Sequence, residues 1–192
     1  MNNKRYHLFI GPSIKEISVM RDSDKFENGD DHYVFVNKGM LNRDFMRQFN
    51  NYNNVEFVHD HINTYLGNCP YIFDSISAFR VLEHLTPEEI RTFFYLMFTQ
   101  SRHDVKMRVM VPWLPYLTEM LEDESTQLHD KITILHTEIF NTPTDSHKSI
   151  WTDATLDYYT SEGYWNILSR SRDNYENRNV YETIVFSPVQ TD

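Results

Sequence analysis

Apolar residues follow two spacings along this chain, and the two alternate. Short, nearly unbroken runs stand at Tyr6-His7-Leu8-Phe9-Ile10, Tyr33-Val34-Phe35-Val36 and Val55-Glu56-Phe57-Val58, with longer ones from Tyr71 to Phe79 and Val105 to Val111. Their length and their β-branched and aromatic content predict buried strands. Between them, apolar residues recur three and four apart: Leu41, Phe45, Met46 and Phe49; Ile90, Phe93, Phe94, Met97 and Phe98; Tyr116, Leu117, Met120 and Leu121. That spacing places them on one face of an amphipathic helix. The sharpest boundary is Thr86-Pro87-Glu88-Glu89. Thr86 can cap the free backbone N–H groups, Pro87 sits where no N–H is missed, and Glu89 can reach back to close a capping box.

The remaining segments are read more coarsely. Ile14 to Met20 and Ile62 to Leu66 are short helices or irregular links, and Leu128 to Phe140 is ambiguous between helix and strand. Thr152 caps a helix from Asp153 to Glu162 that Gly163 stops. Asp22 to Asp31 and Asn141 to Asp145 are loops. Tyr164 to Ser169 and Val180 to Ser187 are strands flanking a polar loop, Arg170 to Asn179, and can pair as an antiparallel hairpin at a sheet edge. Around the capped helix the order is strand, crossover helix, strand. Such units belong to parallel sheets covered by helices on both faces, and ligands bind beyond the carboxyl ends of the strands. Phe79 through His84 and Pro112-Trp113 fall on that rim.

Size and charge narrow the function. The 192 residues suit one domain, residues 1–192, and the 13 Phe and 12 Tyr supply a real core. The formal net charge of −10 speaks against a surface that holds nucleic-acid phosphates, so no nucleic acid is expected. A small or neutral acceptor fits better, and there is room for a homo-oligomer or a protein partner. The single Cys69 excludes internal disulfides and makes a reducing, cytoplasmic setting the expectation. No apolar run is long enough to cross a bilayer, the N-terminus has no signal-like apolar core, and no membrane association is expected.

Two stretches then carry a family likeness. Asp74-Ser75-Ile76, Arg80-Val81-Leu82-Glu83-His84-Leu85 and Arg108-Val109-Met110-Val111-Pro112 resemble the second half of a class I S-adenosylmethionine-dependent methyltransferase. There an Asp-x-Ile strand leads into a Leu-Glu-His turn and a later strand ends in Val-Pro. His147-Lys148-Ser149-Ile150-Trp151-Thr152, Leu156 and Ser161-Glu162-Gly163-Tyr164 are similar to the family's closing pattern. The likeness spans about Tyr6 to Ser187. It implies an α/β, Rossmann-like fold whose mostly parallel seven-stranded sheet has an antiparallel last strand, with S-adenosylmethionine as cofactor. In that frame Gly11-Pro12-Ser13 stands at the Gly-x-Gly-type cofactor loop, with one glycine kept and Ser13 able to donate to the cofactor carboxylate. Asn37 stands where the family places a ribose-binding acid, and Asp60 where an acid meets the adenine amino group. Ile62 would lie against the ring, and Phe79 would join the cofactor side. His84 and His147 are the candidate catalytic bases, with Glu83 orienting.

The same residues admit plainer roles. Gly11-Pro12-Ser13 can be a turn that closes a strand. Asp60 can cap a helix, Glu83 and His84 can satisfy backbone groups, and His147 can be a surface residue. His59-Asp60-His61 resembles a metal cluster, but neighbouring residues at a strand end point to opposite faces. With no second ligand pair and one cysteine, no metal is expected. Two principal functions follow: methyl transfer to a hydroxyl or amine of a small-molecule or sugar-like acceptor, or a catalytically degenerate methyltransferase fold that serves as an interaction or assembly module. A different Rossmann-like nucleotide binder is a third, in which the Leu-Glu-His and Val-Pro turns have no role.

Overall fold

The computed structural model describes residues 4–27, 29–38, 43–136, 146–175 and 178–190. One seven-stranded sheet runs through them in the order β3-β2-β1-β4-β5-β7-β6. The strands are β1 (Arg5–Ile10), β2 (Asp31–Val36), β3 (Val55–Val58), β4 (Phe73–Phe79), β5 (Ser101–Pro112), β6 (Trp165–Tyr175) and β7 (Arg178–Pro188). Strands β1 to β5 pair in parallel, and β7 lies antiparallel between β5 and β6. This is the Rossmann-like class I methyltransferase arrangement that the sequence implied.

Helices cover both faces because alternate strand residues point to opposite sides. Leu8, Ile10, Val34, Val36, Ile76 and Ala78 meet α3 (Ile62–Asn68), α4 (Pro87–Thr99) and α7 (Asp153–Thr160). Phe9, Tyr33 and Phe35 turn the other way, onto Ile17 of α1 (Ile14–Asp22) and Phe45 of α2 (Arg43–Arg47). Further along that second face, Met110 and Val180 meet Leu117 of α5 (Leu114–Glu122). Every residue of β2 is buried, as expected for an inner strand covered on both faces. The capping box at Thr86 is formed: the Glu89 N–H donates to Thr86 Oγ1 at 3.3 Å, and the Thr86 N–H donates to Glu89 Oε2 at 2.7 Å.

Two segments differ from their sequence reading, and one ambiguous stretch is settled in part. The charged stretch from Asp22 to Asp31 is not simply exposed, because a 3-10 turn, Lys25–Glu27, buries Phe26 edge-on against Tyr33 and Phe49. Leu128 to Leu135 is helical (α6), whereas Asn141 to Asp145 lies outside the described residues. The supposed polar loop from Arg170 to Asn179 is mostly strand. Arg170 lies over the Trp113 ring at 4.6 Å and Arg172 over Tyr116 at 4.3 Å, so their aliphatic stems and flat heads cover aromatic surface. Buried Glu182 holds Arg170 Nε at 2.8 Å and accepts from Tyr116 Oη at 2.6 Å. Among the described residues no helix is long and apolar enough to cross a membrane.

Candidate functional site

The carboxyl ends of β1, β2, β3 and β4 open onto a cavity of about 640 Å3. Its apolar floor is Ile10, Val36 and Ile62, and its polar rim includes Asn37, Asp60 and His61. Arg80, Val81, His84 and Lys148 close the side toward β4.

Gly11 follows β1 and donates its N–H to Val36 O at 2.9 Å. Its φ is +68°, and a Cβ there would stand 2.0 Å from Val81 Cγ2 and 3.0 Å from the Phe79 carbonyl oxygen. A glycine is therefore required where the β1 turn passes the β4 turn. Ser13 does not line the cavity. It caps α1 in a capping box with Glu16, accepting from the Glu16 N–H at 3.2 Å while its own N–H donates to Glu16 Oε2 at 2.6 Å.

Asn37 follows β2, its N–H donating to Val58 O at 3.0 Å and its Nδ2 to Pro12 O at 3.4 Å, so it ties the β1 loop to the rim. Asp60 is exposed past β3, with Oδ1 accepting from the His61 N–H at 2.6 Å. Ile62 opens α3 and is almost fully buried in the floor. Phe79 turns away from the cavity and packs beside Met110, Leu117 and Tyr181. Only its carbonyl approaches Gly11. The histidines of His59-Asp60-His61 disperse: His59 Nδ1 lies 3.2 Å from Asn37 O, and His61 Nε2 lies 3.4 Å from Glu89 Oε1. The Glu89 carboxyl is held below its usual pKa, chiefly by the Thr86 backbone N–H, with burial opposing and nearby His61 adding a smaller pull.

The wall past β4 is unusual in its backbone. Arg80 has φ of +53°, a left-handed conformation that costs a side-chain-bearing residue about 1 kcal/mol or more. Its N–H donates to Met110 O at 2.9 Å, and its guanidinium lies 5.4 Å over the Tyr181 ring. A 3-10 turn, Leu82–His84, follows. The segment carrying His147 is laced to this turn. The N–H groups of Lys148 and Ser149 donate to the Glu83 carbonyl at 2.7 and 3.2 Å, and Ser149 Oγ donates to Leu82 O at 3.1 Å. As a result His84 and His147 meet edge to face with ring centroids 4.9 Å apart. The donor atoms of Glu83, His84 and His147 all fall within 4.8 Å of one another, and Glu83 is only 1% exposed. Glu83 and His147 also border a second cavity of about 260 Å3 beside Leu117 and Trp151.

Gly11, Asn37, Asp60, Ile62 and His84 thus share one cavity, with Glu83 and His147 immediately behind His84. Ser13 and the Phe79 ring do not face it. Sequence reasoning did not single out Lys38 or Lys148, although each adjoins a residue that it did name, Asn37 and His147.

At the level of sequence alone, no family model and no curated protein matches the chain. Solved structures do match in fold. A Burkholderia thailandensis 1,6-didemethyltoxoflavin-N1-methyltransferase, with 1,6-didemethyltoxoflavin and S-adenosylhomocysteine bound, superposes with a TM-score of 0.65 at 12% identity, over 98% of this chain and 72% of that one. An S-adenosylmethionine-dependent methyltransferase from Methanosarcina mazei gives 0.61 at 12% identity, over 100% and 95% of the two chains. The N-methyltransferase NodS from Bradyrhizobium japonicum, in complex with S-adenosylhomocysteine, gives 0.60 at 9% identity, over 97% and 79%. At these identities the likeness establishes the shared fold.

Proposed function

We propose that this chain binds S-adenosylmethionine in the cavity at the carboxyl edge of β1 to β4 and directs methyl transfer to a hydroxyl or amine of a small-molecule or sugar-like acceptor. The observation that carries the reading is convergence: residues from four separate strand ends, Gly11, Asn37, Asp60 and His84, border one hollow of about 640 Å3. That volume lies within the usual range for cofactor sites. The donor set also suits an adenosyl group. The Asn37 amide offers both a donor and an acceptor to vicinal hydroxyls. Asp60 can accept from an exocyclic amine, and Ile10, Val36 and Ile62 provide an apolar bed for a flat ring.

When bound, the cofactor supplies an electrophilic methyl on sulfur. The protein's own task is to align the acceptor in line with that methyl and to take up its proton. In this reading His84, on the cavity wall, and His147, behind it, are the candidate bases, with Glu83 beside both imidazoles. Lys148 and Arg80 lie along the same wall, where they can orient polar groups of the acceptor.

A second reading, a degenerate fold kept for interaction or assembly, draws on two specific observations. The Ser13 hydroxyl is engaged in capping α1, and the Asn37 amide reaches the Pro12 carbonyl. Both would have to share their bonds with a ligand. Calorimetry and thermal shift with S-adenosylhomocysteine separate the two readings. The enzyme reading expects stabilisation that grows with ligand, about 2.7 kcal/mol at a hundred times Kd, and weaker binding in Asp60→Ala. No shift at millimolar ligand would favour the assembly role.

A further inference from the structure

We infer that Glu83, His84 and His147 form a binding site for a first-row divalent transition metal, zinc foremost, on the acceptor side of the cavity. Among the described residues no other trio of His, Cys, Asp or Glu side chains brings its donor atoms within such a distance. Two imidazole nitrogens and one carboxylate oxygen make a donor set that suits zinc, iron or nickel better than magnesium or calcium, which favour oxygen. Donors arranged tetrahedrally around an ion at about 2.0–2.2 Å stand roughly 3.3–3.6 Å apart. The three donors lie within 4.8 Å of one another, so closing on an ion asks for shifts of about 2 Å or less.

The backbone is already fixed for this. Glu83 and His84 share one 3-10 turn, and the bonds from Lys148 and Ser149 to Glu83 O hold the neighbouring His147 against it. The Glu83 side chain is buried, so a divalent ion would meet its carboxylate in a low-dielectric setting where their attraction is strong. The site lies between the two cavities, since His84 borders the larger while Glu83 and His147 border the smaller.

Three protein ligands leave coordination positions open, as in catalytic rather than structural metal sites. This rests on the proposed cofactor site and replaces the base role given above to His84 and His147 with that of metal ligands. It favours an acceptor that presents a hydroxyl, whose acidity a bound ion would raise, the proton leaving to solvent.

The test uses the full chain, free of any histidine tag and freed of metal with a chelator, then titrated with zinc by calorimetry and with cobalt(II) by visible absorption. The expected result is one ion per chain and a cobalt spectrum with nitrogen ligation. His147→Ala, checked for folding by circular dichroism, should weaken binding at least roughly tenfold. Glu83→Gln serves as a second ligand variant, and His61→Ala should bind zinc like the unaltered chain. Absence of zinc binding, or binding unchanged in His147→Ala, would overturn the site. Titration with S-adenosylhomocysteine in parallel keeps the two proposals apart. S-adenosylhomocysteine binding without zinc binding removes the metal site alone, and zinc binding without it removes the cofactor reading alone.

Discussion

Replacing Gly11 by alanine tests the contact on which the cavity's shape depends. An L-residue at φ of +68° costs about 1–2 kcal/mol by backbone strain. The added methyl would also stand 2.0 Å from Val81 Cγ2 and 3.0 Å from a backbone oxygen of Phe79. Val81 is short and β-branched, so it cannot swing aside at little cost, and overpacking of this kind costs about 1–3 kcal/mol. Together Gly11→Ala should lose about 2–5 kcal/mol, a large share of the about 5–15 kcal/mol that holds a typical domain. Urea unfolding at unchanged slope measures it. Val81→Ala in the same chain should recover the Val81 share of the steric cost and leave the backbone part, giving a favourable coupling of about 1–3 kcal/mol in a double-mutant cycle. A Gly11→Ala variant within about 0.5 kcal/mol of the parent, or a cycle without coupling, would refute this account of the turn.

Two further outcomes concern charge. Arg170→Ala leaves Glu182, 2% exposed, without its guanidinium and should cost about 3 kcal/mol, whereas Arg170→Met with Glu182→Leu should cost much less, both read by thermal unfolding. Glu89 has its folded-state pKa lowered, chiefly by the Thr86 N–H, so its contribution is present above the ordinary carboxyl pKa of 4.5 and is lost as pH falls through the folded value. Glu89→Gln should therefore be less stable at neutral pH by a modest amount, about 1 kcal/mol or less given its partial exposure. Unfolding curves of the two should converge as the pH is brought below 4.5.

What the sequence made legible is what depends on local order. Val55 to Val58 is the third strand with the expected bounds, and Thr86 closes the capping box because its chemistry is contained in four consecutive residues. The sharing of one edge by Gly11, Asn37, Asp60 and His84 followed from the direction of parallel strands. Side-chain direction did not. The Phe79 ring turns to the α5 side because strand alternation gives that face to it and the opposite one to Ala78. The strands beyond Ser169 were hidden because Arg170 and Arg172 look polar in sequence but act as covers for Trp113 and Tyr116. The meeting of His84 with His147 depends on backbone bonds between segments far apart in the chain, and no local pattern encodes it.

The slot occupied by β7 has a consequence for how the molecule is made. Because β7 lies between β5 and β6, β6 leaves the ribosome before the strand that joins it to the rest. Until Arg178 to Pro188 has emerged, the nascent chain carries β5 with one flank open and β6 with no neighbour in the sheet. Both ladders then form at once, from contacts that the growing chain could not make earlier. Completion of this sheet thus waits on β7, and a stall shortly before it would expose the open flank of β5 and all of β6 to other chains.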